Sequence, residues 1–274
     1  MIELYTKVGN RIFNLGNESL FTYPDGSWDM KHEPEHWTGK QIALIRDEVD
    51  ANDLIKLQLW SRVVKDQGGT PYAVIPQLPA AQGDRGVTTP GSLYAKMIND
   101  AGLERLIATD VHSPAAHNFY NNLLEIPSTV VADLLPQEYY DAVIAPDKGA
   151  QARAHAFADK LFCDVLYAEK SRDFDSGKLT GFVTPKDYNV TGKYLLVDDI
   201  CVGGGTFNGL ADAMSKEGFD GQLDLFVTHG VFSNSTTELE KYFNNIYTTD
   251  SRPPNFRTNN VKTLKIVKRL FDYI

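Results

Sequence analysis

The sequence predicts an α/β protein of two similar domains, each with a mostly parallel sheet flanked by helices. Short apolar runs rich in β-branched residues alternate with segments of helical spacing in both halves of the 274-residue chain, which is typical of parallel sheets with helical crossovers. Most of these runs end in polar, glycine or proline residues, and in open α/β sheets ligands bind at the carboxyl ends of the strands. The linker is predicted near 127–138, so that the domains are 1–130 and 131–274.

The first half of the chain has the pattern of three strands and two helices. Asp50, Asn52 and Asp53 supply capping side chains where the first helix starts, and Gly68 follows its last turn. The predicted elements, in order, are strand 42–45, helix 54–66, strand 72–75, a Pro/Gly-rich loop 76–91, a helix over 93–101 and strand 106–108.

The second half repeats this alternation of strands and helices. A polar loop rich in Lys, Arg, Asp and Gly, 169–184, interrupts the alternation. The predicted elements, in order, are strand 142–145, helix 150–160, strand 165–167, the polar loop, strand 194–197, helix 207–216, strand 224–228, helix 236–243 and a short strand near 245–248.

The bulk composition excludes several classes of protein. The net charge of −9 argues against nucleic-acid binding, which requires a basic face. No apolar run approaches the roughly 20 residues needed to span a bilayer, and the first residues lack the basic-then-apolar pattern of a signal peptide, so we expect a cytoplasmic protein without membrane association. Cys163 and Cys201 match no metal or redox spacing, which favours free thiols.

The stretch 194–206 carries the strongest chemical signal. An apolar strand is followed by two aspartates, three glycines and a threonine, just before a predicted helix. Glycines let the backbone turn tightly, and the amides and dipole of a helix N-terminus attract phosphate. Adjacent carboxylates can accept hydrogen bonds from a ribose diol. The predicted ribose-phosphate-binding residues are Asp198, Asp199, Gly203, Gly204, Gly205 and Thr206.

The pattern Val-Asp-Asp-Ile-x-x-Gly-Gly-Gly-Thr resembles the ribose-phosphate signature of type I phosphoribosyltransferases and of ribose-phosphate diphosphokinases. Other segments resemble the diphosphokinase family in particular and occur in its order along nearly the whole chain. They are Tyr23-Pro24-Asp25-Gly26, Asp50-Ala51-Asn52-Asp53, 74–85, Thr109-Asp110-Val111-His112, 145–154, Glu169-Lys170-Ser171-Arg172, 228–233 and Thr249-Asp250-Ser251. This ordered set identifies the chain as a divergent member of that family, with two phosphoribosyltransferase-like domains.

The resemblance implies an enzyme that transfers a diphosphate group from Mg-ATP to the anomeric hydroxyl of a ribose 5-phosphate unit. It also implies homo-oligomers, because the loop with Tyr23 and Asp25 reaches a neighbouring subunit in the family. The implied ATP-binding residues are Tyr23, Asp25, Gln82, Asp84, Arg85 and His112. The implied catalytic residues are Lys170, Arg172, His112 and Arg85. Magnesium (Mg2+) is the implied cofactor, with His112 and Asp147 as ligands.

Each of these residues also has a purely structural interpretation. Lys170 and Arg172 suit a solvated loop, His112 a satisfied strand-end residue, and Asp147 a helix cap. A phosphoribosyltransferase that consumes the diphosphate, and a non-catalytic regulatory protein of the same fold, remain alternative functions. The letters His-Glu-Pro-Glu-His at 32–36 match a zinc motif, but Pro34 does not suit the helix that such a site requires.

The chain departs from the family pattern at the predicted phosphate site. Val202 and Gly203 stand where the family has an aspartate and a threonine. A hydroxyl that would bond a terminal 5'-phosphate is therefore missing. This favours an acceptor with a substituted 5'-phosphate, such as ADP-ribose, although backbone amides alone would also serve ribose 5-phosphate. On the ATP side, Ser27 replaces an acid, and Gln82 and Gly83 replace Arg-Gln.

Overall fold

The computed structural model describes residues 2–31, 37–81, 83, 89–136, 139–172, 179–252 and 260–274, and only the backbone of residues 171, 172, 179 and 180. It has two compact units. The first is Met1–Pro127 with Val267–Ile274, and the second is Ser128–Ile266. The predicted division was 1–130 and 131–274. The last eight residues group with the first unit, where the Lys7 ammonium donates to the Ile274 carbonyl over 2.6 Å and the Phe271 ring meets Tyr5 edge to face.

The first unit is built on a six-stranded sheet of order β2-β1-β5-β6-β7-β8. Its β5 to β8 are parallel, whereas β1 is antiparallel to both of its neighbours. The strands β3 and β4 form a separate antiparallel hairpin outside this sheet. The strands are β1 (Ile2–Val8), β2 (Arg11–Gly16), β3 (Leu20–Thr22), β4 (Trp28–Met30), β5 (Gly39–Ile45), β6 (Gly69–Val74), β7 (Arg105–Thr109) and β8 (Leu123–Ile126).

Two helices cover this sheet, α1 (Ala51–Asp66) and α2 (Pro90–Asn99). As the sequence predicted, Asp50 caps α1, and its carboxylate accepts from the Asp53 amide over 2.7 Å. The helix buries one face, including Leu57 and Trp60, both 0% exposed, against β1, β5 and β6. The predicted parallel strands and both helices of this half are confirmed. The strands β1 to β4 and β8 were not predicted.

The second unit contains a six-stranded sheet that is parallel throughout, with the order β10-β9-β13-β14-β15-β16. Its strands are β9 (Ala142–Ala145), β10 (Asp164–Tyr167), β13 (Lys193–Cys201), β14 (Gln222–Gly230), β15 (Asn245–Thr249) and β16 (Val261–Leu264), and the hairpin β11 (Glu169–Arg172) with β12 (Leu179–Val183) is separate. The helices of this unit are α3 (Gln151–Leu161), α4 (Gly205–Lys216) and α5 (Thr237–Glu240). The helix α6 (Ile266–Leu270) follows β16, and all of it but its first residue belongs to the first unit.

The predicted strands and helices of this half are confirmed, with three corrections. The predicted helix 236–243 is only the single turn of α5, because the chain leaves the helix after Glu240. The predicted loop 169–184 contains the hairpin β11–β12. The strand predicted at 194–197 continues to Cys201, because its last residues still pair with β14. Within the described residues, no helix is long and apolar enough to cross a membrane.

Candidate active site

The glycine turn that the sequence predicts as the phosphate cradle lies between β13 and α4. Gly204 is the N-cap of α4 and has φ +78°, a left-handed conformation that favours glycine. A Cβ at Gly204 would also approach the Leu239 side chain to 3.2 Å, whereas a Cβ at Gly205 would meet nothing within 4 Å. The first amides of α4 have no acceptor within the helix, and the helix dipole adds partial positive charge there. The turn therefore suits an anionic phosphate.

The two predicted ribose-binding carboxylates lie on β13 just before this turn. The pairing of β13 with β9 ends at Leu196, so both aspartates lie beyond the end of β9. Asp198 and Asp199 are largely buried, with side chains 16% and 6% exposed. The Asp198 Oδ1 also accepts from the Asp199 backbone amide over 2.9 Å. The structure thus places two largely buried acceptors on the strand that leads into the glycine turn.

Arg153, on α3, holds both carboxylates. Its Nη1 donates to the Asp198 Oδ1 over 3.1 Å, and its Nη2 lies 3.9 Å from the Asp199 Oδ2. The guanidinium is itself 13% exposed. The sequence placed Arg153 within a family-like segment but gave it no role, since its partners are 45 residues away along the chain. Its planar fork orients the two carboxylates relative to each other.

Burial controls the charge of this pair. Desolvation and, next, the neighbouring charge of Asp199 raise the pKa of Asp198, the Arg153 guanidinium opposes both effects, and together they bring this pKa to about 7. Asp198 is therefore partly protonated near neutral pH. A ribose diol that donates hydrogen bonds to the carboxylate would favour its ionised form.

Asp147 and Lys170 form an ion pair at the end of β9. The Lys170 Nζ lies 2.6 Å from the Asp147 Oδ2. The other oxygen, Oδ1, caps the 3-10 turn Lys148–Ala150 by accepting from the amides of Gly149 and Ala150 at 2.9 and 3.2 Å. Asp147 thus has the predicted capping role and also fixes the head group of Lys170.

The hairpin β11–β12 carries Lys170 and is anchored on the helix of the cradle. Lys170 lies opposite Phe182 in the hairpin. The Phe182 ring packs so closely on Gly209 of α4 that a Cβ at this glycine would overlap the ring. At the end of the hairpin, the Thr184 hydroxyl donates to Glu217 over 2.6 Å. The sequence did not predict this anchor. Of Arg172 the structure describes the backbone alone, within β11.

Two further segments with family-like sequences meet at the carboxyl ends of β14 and β15. The Thr249 hydroxyl donates to the Thr228 carbonyl over 2.7 Å, and the Ser251 hydroxyl donates to the same carbonyl over 3.0 Å. The buried His229 ring lies 2.9 Å from the Ser251 Oγ through its Nδ1. These hydrogen bonds join the carboxyl ends of β14 and β15 to each other, next to the end of β13.

The predicted ATP-side residues belong to the first unit. Tyr23 and Asp25 are exposed on the β3–β4 turn, where the Tyr23 hydroxyl donates to Asp29 over 3.0 Å and Asp25 accepts from the Ser27 amide and hydroxyl at 2.9 and 2.7 Å. These bonds raise the pKa of Tyr23 and lower that of Asp25. His112 is exposed after β7. Three predicted residues, Gln82, Asp84 and Arg85, lie outside the described part of the chain.

The chain is similar to known proteins over most of its length. A ribose-phosphate pyrophosphokinase of Agrobacterium fabrum is 29% identical over 274 residues, covering 92% of this chain and 85% of the relative. One of Rhizobium meliloti is 30% identical over 212 residues, covering 71% and 66%. The crystal structure of phosphoribosylpyrophosphate synthetase from Mycobacterium smegmatis has the same fold, with a TM-score of 0.70 at 20% identity over 99% of this chain and 88% of that one. No protein-family model matches the chain.

Proposed function

Because the chain belongs to the ribose-phosphate pyrophosphokinase family, we propose that it transfers the β,γ-diphosphate of Mg-ATP to the anomeric hydroxyl of a ribose 5-phosphate unit. One observation of the structure supports this most directly. The hairpin that carries Lys170 is packed on α4 through Phe182 and Gly209, the same helix whose N-terminus forms the phosphate cradle. The hairpin that carries Lys170 and the proposed anion site thereby share α4 as their support.

The acceptor would bind at the end of β13. Asp198 and Asp199 would accept hydrogen bonds from the ribose hydroxyls, in the orientation that Arg153 gives them. The backbone of 203–206 would hold the phosphate on the 5' side of the sugar. This arrangement leaves the anomeric carbon to face away from the cradle, because the phosphate is attached at the other end of the ring.

In the transfer step the anomeric oxygen attacks the β-phosphorus of ATP. The bond between that phosphorus and the α,β-bridging oxygen breaks, AMP leaves with the bridging oxygen, and the anomeric proton passes to solvent. Such a reaction requires positioning and charge neutralisation more than covalent help. Lys170 would neutralise the migrating diphosphate once it leaves Asp147, and Arg172, two residues along β11, is expected to act with it.

The residues of this site fit a magnesium ion that arrives with ATP. Among the described residues, no group of three or more metal-ligating side chains is arranged to hold a metal ion. Mg2+ is usually held by one or two carboxylates together with substrate phosphates, and the Asp147 carboxylate meets that requirement. The ion would neutralise phosphate charge. His112 is the second ligand that the family resemblance implies.

The acceptor we favour has a substituted 5'-phosphate, as in ADP-ribose, and its product would be ADP-ribose 1-diphosphate. Val202 and Gly203 support this choice, because neither offers a hydroxyl to a terminal phosphate. To test this choice, the purified protein is incubated with Mg-ATP and either ADP-ribose or ribose 5-phosphate. AMP release is followed, and the product is identified by mass spectrometry. Equal or faster turnover of ribose 5-phosphate would exclude the substituted acceptor.

The same assay separates the alternative functions. A phosphoribosyltransferase would release no AMP from ATP. A regulatory protein without catalysis would be unaffected by Lys170→Ala, whereas the proposed enzyme should lose most of its turnover. The matched control is Lys216→Ala, which removes an exposed lysine at the far end of α4, where it pairs with Asp212. A light-scattering measurement of mass tests the expected homo-oligomer.

A further inference from the structure

The segment that follows β14 runs along the glycine turn. The amides of Val231 and Phe232 both donate to the Cys201 carbonyl, at 2.9 and 3.0 Å, and the Ser233 amide donates to the Val202 carbonyl over 2.8 Å. The Ser233 hydroxyl reaches the same Val202 carbonyl at 3.2 Å. The backbone carbonyls of the turn therefore hold residues 231–233 in place. The following residue, Asn234, is thereby placed beside the turn.

A strained residue sets the direction of this segment. Phe232 has φ +44°, a left-handed conformation that bulky residues adopt only when their surroundings enforce it. Its ring is 4% exposed and packs against Gly230, where a Cβ would overlap the ring. Because the ring is buried and the amide is hydrogen-bonded, the chain turns outward after Phe232. Such strain is common in loops that carry function.

The side chain that reaches the cradle is Asn234. A Cβ built at Gly203 would lie 3.3 Å from the Asn234 Nδ2, so the amide group faces this glycine. Asn234 is exposed, and within the described residues its side chain has no hydrogen-bond partner. The absence of a side chain at Gly203 is thus what leaves room for the Asn234 amide.

We propose that Asn234 determines acceptor specificity by donating a hydrogen bond to the 5'-side phosphate, in place of the hydroxyl that residue 203 lacks. This inference rests on the proposed function. Among the described residues, those of the turn and Asn234 offer neutral donors, namely the backbone amides of 203–206, the Thr206 hydroxyl and the Asn234 amide. A terminal phosphate monoester carries a charge near −2 at neutral pH, whereas a phosphate within a diphosphate bridge carries −1. A neutral set of donors suits the singly charged, substituted phosphate.

The chain offers a double-variant test. Asn234→Ala should raise KM for ADP-ribose by roughly tenfold, the usual effect of losing one hydrogen bond to a charged group, and leave KM for ATP unchanged. Gly203→Thr should weaken ADP-ribose binding as well, because its Cβ crowds the amide. The double variant Gly203→Thr/Asn234→Ala should bind ribose 5-phosphate better than either single variant.

The controls separate this inference from the proposed function. Asn17→Ala, at an exposed asparagine of the first unit, should change none of these constants, and thermal melts show whether each variant is folded. If the wild-type protein releases no AMP with any acceptor, the proposed function fails, and calorimetric titration of ADP-ribose into wild type and Asn234→Ala still tests the contact. Equal affinities in that titration, or an equal rise of KM for both acceptors, overturn the role of Asn234.

Discussion

Replacing Arg153 by glutamine tests whether the paired carboxylates bind the acceptor. The guanidinium donates a charged hydrogen bond to Asp198 over 3.1 Å and makes a longer ionic contact of 3.9 Å with Asp199. A hydrogen bond to a charged group contributes about 1.5–3 kcal/mol, and about 1.4 kcal/mol corresponds to a factor of ten. We therefore expect Arg153→Gln to lower kcat/KM for the acceptor by about 10- to 100-fold, with little change in KM for ATP.

The same substitution should change stability in a pH-dependent manner. Without the guanidinium, two mostly buried carboxylates repel each other at pH 8, and we expect a loss of about 1–3 kcal/mol in the free energy of unfolding. At pH 5.5 protonation of Asp198 relieves the repulsion, so the loss should be smaller. Urea titrations at both pH values measure it. Arg153→Lys retains the charge and should recover part of the activity, and Arg62→Gln, at an exposed arginine of α1, is the matched control.

Arg153→Gln would refute this reasoning if it retained the wild-type kcat/KM for the acceptor, or if the loss appeared in KM for ATP alone. A stability loss that is equal at pH 5.5 and pH 8 would show that the arginine contributes packing and not charge compensation. These outcomes are distinguishable because the kinetic and the thermodynamic measurements use the same purified variants.

Three further predictions concern the same unit. The pKa of Asp198, raised to about 7, lies above its unfolded value, so the contribution of Asp198 to stability should be lost as pH rises from about 4 to 7. Over the same range the acceptor affinity should improve, because the carboxylate becomes ionised. Asp198→Asn should abolish both trends, as measured by urea titrations and by KM from pH 5.5 to 8.5. Gly209→Ala should displace Phe182 and cost about 1–3 kcal/mol, with a loss of kcat that Phe182→Leu partly restores. Gly204→Ala, at φ +78° and facing Leu239, should destabilise by about 1–2 kcal/mol and weaken acceptor binding in calorimetry.

Local patterns were sufficient to predict the parallel strands and the glycine turn before α4. The strand Ala142–Ala145 is a short apolar run, and the turn after Asp199 combines acids and glycines within a few residues. In contrast, β1 (Ile2–Val8) has mostly half-exposed side chains and lacks such a run. The hairpin β11–β12 was missed because β11 is polar, glycine interrupts the apolar residues of β12, and among the described residues the two strands pair with no other strand. A polar first strand alone does not distinguish a loop from a hairpin.

The groups that complete the candidate site were missed for another reason. Arg153 and Asp198 are 45 residues apart, and Ser233 and Val202 are 31 apart. Their contacts depend on the order β9-β13-β14 in the sheet, which brings successive strand ends together. A sequence pattern shows the residue types at each strand end but not which of them touch.

The geometry beside Gly203 helps to decide whether the departure of Val202 and Gly203 from the family pattern is random drift or an adaptation to a different acceptor. If Val202 and Gly203 had simply drifted, a threonine at 203 would be accommodated or even favourable. A Cβ at Gly203 would lie only 3.3 Å from the Asn234 amide, closer than such atoms usually approach, and the backbone just before Asn234 is held by the hydrogen bonds of Ser233 to Val202. Threonine at 203 would therefore displace the Asn234 amide from its place beside the turn, so that the effects of substitution at the two positions should not add.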